Sequence, residues 1–228
     1  MCGVFGFVAR GDERVDLATL EQIASTNERR GQDAWGVAWV THDGRMGMYK
    51  DQGPISDGLN LLPMVRDAKL IIGHTRLATQ GSPDDNANNH PHPVDGGWLV
   101  HNGMIPHYQS LVREHGLHPS TDCDSEVIGL LVESLTEGDI LDRCVRAANV
   151  IDTRLYVMLG LWKSGQMVAV RRGHPLHSGV TRRGRYLSSV PDAVPNAVEM
   201  RDNYGVILGA TAKARPLTTT KPNRCRVR

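Results

Sequence analysis

Cys2 is followed by Gly3-Val4-Phe5-Gly6-Phe7, an apolar run with the length of a short buried strand. Removal of Met1 would make Cys2 the first residue and put a thiol and a free α-amino group on one amino acid. An α-amine titrates near ~7.7–8.0 and a thiol near ~8.5, so at neutral pH the amine can take the thiol proton, directly or through a water, without a histidine partner. Such a residue is a nucleophile that carries its own base. Aminopeptidases remove Met most readily before small residues, and Cys is small. A cysteine is otherwise most often a small buried hydrophobe, so Cys2 needs support from elsewhere in the chain.

That support comes from Arg30-Gly31-Gln32-Asp33-Ala34-Trp35-Gly36, Gly73-His74-Thr75-Arg76-Leu77-Ala78-Thr79, His101-Asn102-Gly103 and Asp124-Ser125-Glu126. Singly these read as a helix terminus, a strand end, a turn and an N-cap. In this order behind an N-terminal cysteine, they make the chain resemble the class II glutamine amidotransferases, whose glutaminase domain is an N-terminal-nucleophile hydrolase. The resemblance covers nearly the whole chain and extends to Asn89-His90-Pro91-His92, Arg172-Gly173-His174-Pro175-Leu176 and Leu187-Ser188-Ser189.

The resemblance implies that Cys2 attacks the side-chain amide of glutamine, releases ammonia and leaves a γ-glutamyl thioester that water hydrolyses to glutamate. Asn102, through its side-chain NH2, and Gly103, through its backbone N–H, would form the oxyanion hole. Arg76 would clamp the substrate α-carboxylate with bidentate hydrogen bonds, and Asp124 would hold the α-ammonium. Thr79 and Leu77 would line the substrate loop, and Arg30 and Asp33 would build the wall beside the N-terminus or form a structural ion pair. No cofactor is implied. Where hexosamine synthases carry tryptophan this chain has Leu77, and it has Gln80 where they have histidine; beyond Gly103, Pro106-His107 replaces the usual Glu-Asn or Thr-Asn. Those positions couple hydrolysis to an acceptor, and no acceptor domain is recognisable, so ammonia is expected to pass to a separate synthase subunit. Two other readings remain open: a stand-alone amidohydrolase for a γ-glutamyl or other amide compound, and a non-catalytic binding module.

His90 and His92 alternate as metal ligands would, but no third ligand stands at a recognisable spacing, so no metal is expected. Cys123 sits where many members of the family have threonine and reads as packing.

The elements that must position these groups follow from pattern. Asp16 can cap a helix with Leu17, Leu20, Ile23 and Ala24 on one face, ending at Gly31. Strands 35–40 and 46–50 flank His42-Asp43-Gly44 as a hairpin. A strand at 70–74 runs into Thr75-Arg76, and 81–95 reads as a long polar binding loop before a strand at 98–101. Apolar spacing predicts helices over 125–135 and 140–150. Strands 154–162 and 166–171 bracket Lys163-Ser164-Gly165, and a last strand spans 204–208. Helices segregated from antiparallel hairpins predict an α+β fold, and the resemblance implies a four-layer αββα sandwich of antiparallel sheets, the N-terminal-nucleophile hydrolase fold, over residues 1–210.

The chain has 228 residues, 40% hydrophobic and 22% charged, with a formal charge of +1. That balance gives no global attraction to nucleic acid or anionic lipid. With no apolar run of membrane-spanning length and no basic leader, a cytoplasmic protein is expected. Its four cysteines form no C-x-x-C pair and read as free thiols. Residues 211–228 are basic and carry no acid, which suggests a solvated tail or a docking element.

Overall fold

The computed structural model describes residues 1–209 and 213–218. In chain order the elements are β1 (Gly3–Ala9), α1 (Leu17–Glu28), β2 (Ala34–Thr41), β3 (Met46–Gln52), β4 (Ala68–Arg76), β5 (His92–Val94), β6 (Gly97–Gly103), α2 (Tyr108–His115), α3 (Glu126–Ser134), α4 (Ile140–Ile151), β7 (Tyr156–Trp162), β8 (Met167–Arg172), β9 (His177–Val180), β10 (Gly184–Ser188), β11 (Val198–Glu199), β12 (Tyr204–Leu208) and β13 (Lys213–Pro216). They form two antiparallel sheets, ordered β11-β9-β10-β1-β4-β2-β3 and β13-β12-β8-β7-β6-β5.

β1 shows why its sequence is apolar at nearly every position. Val4 and Val8 face the second sheet, where they meet Val100, Val157, Leu159 and Ala169. Phe5 and Phe7 face the opposite way, onto Leu20, Ile23 and Ala24 of α1. A strand buried on both faces has no polar alternation to show. The outer face of the second sheet is covered by α3 and α4, whose Val127, Ile128, Leu131, Leu141 and Val145 pack on Leu99, Met158 and Val170. Each such side chain contributes about 1.5–3 kcal/mol on burial. The layers are therefore helix, sheet, sheet, helix, as the sequence implied.

Asp16 caps α1 by accepting from the Thr19 amide at 2.9 Å. Asp139 does the same for α4 through the Asp142 amide at 3.0 Å. α2, closed by the left-handed Gly116 at φ 60, was not anticipated, nor was the 3₁₀ segment Ile55–Val65. The segment 81–95 is less open than a surface loop: Asn88, Asn89, His90 and His92 are buried in it.

The basic tail is corrected in part. Lys213–Pro216 pairs with β12 as an edge strand, and Lys213 and Arg215 reach Asp139 and Asp142 at 3.1 and 3.0 Å. Those cations answer the acidic start of α4, a tertiary pairing that a run of basic residues does not reveal. Lys221, Arg224, Arg226 and Arg228 lie outside the described residues. No helix among the described residues is long and apolar enough to cross a membrane.

Candidate active site

β1 runs antiparallel to β4 with Gly3 opposite Thr75, which sets Cys2 beside Arg76 and Leu77. The Cys2 Sγ accepts from the Leu77 amide and donates to the Leu77 carbonyl, both at 3.4 Å. A Cβ on Gly3 would stand 2.3 Å from Thr75 Oγ1 and 2.7 Å from the Asn27 carbonyl, so only glycine lets the chain come this close. Beneath it lies a polar scaffold built on Asn27 at the end of α1. Thr75 Oγ1 donates to the Asn27 carbonyl at 2.8 Å, the Asn27 Nδ2 donates to Ser188 at 2.9 Å, and Ser189 donates to Asn27 Oδ1 at 3.0 Å. The Val4 amide in turn donates to Ser189 Oγ at 3.0 Å. That network accounts for the Leu187-Ser188-Ser189 motif.

The Arg30–Gly36 motif holds the other side. Arg30 Nε donates to the Cys2 carbonyl at 2.8 Å, while Asp33 accepts from the Ala78 amide at 2.7 Å. Each side chain takes its own partner instead of forming the ion pair that was the alternative. A Cβ on Gly31 would meet the Arg76 carbonyl carbon at 2.3 Å, so the turn after α1 lies directly on the Arg76–Leu77 backbone.

Arg76 is buried at the end of β4. Its guanidinium donates to Asn89 Oδ1 at 2.6 Å and to the carbonyls of Gln80 and Gly81. All of these are neutral acceptors, and no carboxylate among the described residues lies within ion-pair distance. A buried cation answered only by neutral dipoles favours an anionic ligand. Asp124 is also buried. Its Oδ2 accepts from the Ile105 amide at 2.6 Å and its Oδ1 from Ser125 Oγ at 3.3 Å. Burial raises its pKa above the ordinary carboxylate value, against the pull of the Ile105 hydrogen bond.

His101-Asn102-Gly103, which read as a turn, is instead the last part of strand β6, paired with Met158, Val157 and Tyr156 of β7, and it is tied to the Asp-Ser-Glu motif through the His101 Nδ1 to Ser125 Oγ contact of 2.9 Å. Glu126 caps the turn before α3. Burial pushes its carboxyl up, but hydrogen bonds from Ser120 and Thr121 bring it below the usual value. Asn102 is buried, and its Nδ2 has no hydrogen-bond partner among the described residues. A Cβ on Gly103 would stand 2.6 Å from His101 Nε2 and 2.7 Å from the Leu155 carbonyl.

Cys2, Leu77, Thr79, Asn102 and Gly103 line one pocket of about 510 Å³. Arg76 and Asp124 are not in its wall; they lie deeper, yet their charges reach the thiol. Burial raises the pKa of Cys2, and the Leu77 backbone, the N-terminal amine and Arg76 lower it in part, while Asp124 raises it. The far wall of the pocket, including Met104, His107, Arg154, Leu155 and His174, was not singled out as a site from the sequence. The Arg172–Leu176 motif and the Pro106-His107 departure had hinted at it.

Burial also raises Cys123, to about 11, and raises Cys144 further, so neither resembles an activated nucleophile. His74, His92 and His101 are pushed by burial to about 3 and are neutral. The fold also brings Cys123 to His90 and His92, supplying the third group that spacing had not shown.

Against known proteins, a family model described as glutamine amidotransferases class-II matches residues 1–153. Among curated relatives, the glutamine–fructose-6-phosphate aminotransferase of Clostridium acetobutylicum is 33% identical over 213 residues, covering 90% of this chain and 34% of that protein. The enzyme of the same name from Corynebacterium diphtheriae is 35% identical over 232 residues, covering 92% and 36%. The chain thus spans about a third of the length of these relatives. Among solved structures, glutamine phosphoribosylpyrophosphate amidotransferase from B. subtilis superposes with a TM-score of 0.78 at 21% identity, covering 96% of this chain and 50% of that one. A glutamine aminotransferase class-II domain protein from Silicibacter pomeroyi gives a TM-score of 0.66 at 16% identity and is covered over its full length.

Proposed function

The chain belongs to the class-II glutamine amidotransferases, and on that premise we propose that it is a glutaminase unit in which Cys2, freed of Met1, hydrolyses the side-chain amide of glutamine. The observation that carries this reading is that Cys2 and Asn102 line the same pocket, with the buried Nδ2 of Asn102 unpartnered among the described residues. A buried donor with nothing to bond in the free protein is suited to a charge that exists only during reaction.

In this reading the α-amine of Cys2 takes the thiol proton and Sγ attacks the amide carbon. Asn102 Nδ2 and the Gly103 N–H donate hydrogen bonds to the oxyanion. Collapse expels ammonia, which leaves with the proton that the amine returns, and water then splits the γ-glutamyl thioester to glutamate. Arg76 holds the α-carboxylate; its lack of a contacting carboxylate leaves its charge free for that role. Asp124 receives the α-ammonium, which favours the ionised carboxylate against the push of burial. Thr79 and Leu77 bound the substrate, and Arg30 and Asp33 fix the Cys2 backbone and the Leu77–Ala78 loop.

Ammonia passes to a synthase unit, on a separate chain or elsewhere in a longer polypeptide. Leu77 and Met104, apolar and exposed at the pocket mouth, are surface that such a unit could cover. The extension of the pocket to His107, Arg154 and Leu155 favours one second reading, a γ-glutamyl compound with a larger amine. Steady-state glutamate release from glutamine and from γ-glutamyl p-nitroanilide, by the native chain and by Cys2→Ala, tests both. A Cys2→Ala chain as active as the native one would end the proposal.

A further inference from the structure

Cys123 lies in the turn before α3 and comes up against His90 and His92, so that one ligand atom from each of the three falls within 4.8 Å of the others. All three side chains are buried. What points to a ligand is the state of the imidazoles: neither ring nitrogen of His90 nor of His92 has a hydrogen-bond partner among the described residues. Buried imidazole nitrogens are ordinarily bonded. The rings are held in place by stacking instead, His90 on His74 at 3.9 Å and edge-on to His92 at 4.5 Å.

We propose that His90, His92 and Cys123 bind one thiophilic metal ion, Zn²⁺, with one coordination position left open. Two imidazoles and a thiolate are a donor set that zinc accepts. Zn–N bonds of about 2.0–2.1 Å and a Zn–S bond of about 2.3 Å put tetrahedral ligands roughly 3.3–3.6 Å apart, so the cluster must close by about 1 Å, within reach of side-chain torsions. Binding forms the Zn–S bond and releases the thiol proton to solvent. The bound thiolate offsets one charge of the ion, which matters because the Lys50 ammonium lies near, held by the Asn89 carbonyl at 2.7 Å. The site depends on the cysteine at 123 for its only sulfur ligand. It also lies directly behind both proposed substrate clamps: Asn89, which holds Arg76, precedes His90, and Asp124 follows Cys123. The ion would brace those backbones.

The test uses the full chain bearing Cys2→Ser, which removes the accessible competing thiol among the described residues, loaded with Zn²⁺ under reducing conditions and freed of excess by gel filtration. Elemental analysis should find one zinc per chain, and Co²⁺ in its place should give a thiolate-to-cobalt charge-transfer band. Adding Cys123→Thr should lower the zinc to background and remove the band. X-ray absorption at the zinc edge of the loaded Cys2→Ser chain, which retains all three ligands, should return one sulfur and two imidazole nitrogens, a result that does not depend on any ligand variant folding. Failure to retain zinc, equal retention after Cys123→Thr, or a shell without sulfur would overturn the site. The readout is metal content, so the result is independent of the glutaminase reading.

Discussion

Asn102→Ala separates catalysis from stability in a way that few other substitutions here can. Asn102 Nδ2 is buried and has no hydrogen-bond partner among the described residues. A buried unpaired polar group costs about 1–3 kcal/mol, so its deletion relieves a penalty while forfeiting packing of similar size. The unfolding free energy should therefore shift by no more than about 1 kcal/mol in either direction. The rate should behave differently. Loss of one oxyanion donor typically lowers kcat by ~10²–10³, or about 2.7–4 kcal/mol of transition-state stabilisation. KM should stay near its native value, because the donor acts on charge that the ground state lacks. Urea unfolding and steady-state glutamate release on the same preparation give both numbers. A variant that unfolds several kcal/mol earlier would place Asn102 in the scaffold, and a raised KM with unchanged kcat would place it in substrate binding.

Arg76→Lys should raise KM for glutamine about tenfold or more and change kcat much less, because a point charge cannot reproduce a bidentate contact made alike in ground and transition states; equal effects on both constants would remove the clamp assignment. Gly31→Ala should destabilise by about 1–3 kcal/mol and lower kcat/KM, since the new Cβ would sit 2.3 Å from the Arg76 carbonyl carbon; thermal unfolding within the native range would show that this close approach is not maintained. In a chain that keeps Met1, burial raises the Cys2 thiol, so the protonated form dominates at neutral pH and alkylation of Cys2 by iodoacetamide, followed by peptide mapping, should still be climbing above the ordinary thiol value of about 8.5. A plateau already reached at pH 7 would contradict that environment.

Much of this was legible because local signals and function coincide. The hairpin around His42-Asp43-Gly44, the helix capped by Asp16 and the strand into Thr75-Arg76 all lie where residue pattern places them. The αββα layering came from helices segregated from hairpins, together with the family resemblance. The segments that failed to signal are those whose stability is tertiary. Lys213 and Arg215 read as a solvated run until Asp139 and Asp142 are brought beside them. Asn88, Asn89, His90 and His92 read as a surface loop because their burial depends on packing among distant elements. Cys123 joins the two histidines only through the fold, and no spacing rule could have revealed it. The far wall of the pocket at Arg154 and Leu155 was hidden for the same reason.

Whether Cys2 is an N-terminal nucleophile is tested most directly by intact-mass analysis with peptide mapping of active protein treated with the glutamine-mimicking electrophile 6-diazo-5-oxonorleucine. The expected product is a chain lacking Met1 that carries a single adduct on Cys2, with glutamate release lost in proportion to labelling. Full activity with Met1 still attached, or an adduct on Cys123 or Cys144, would contradict it.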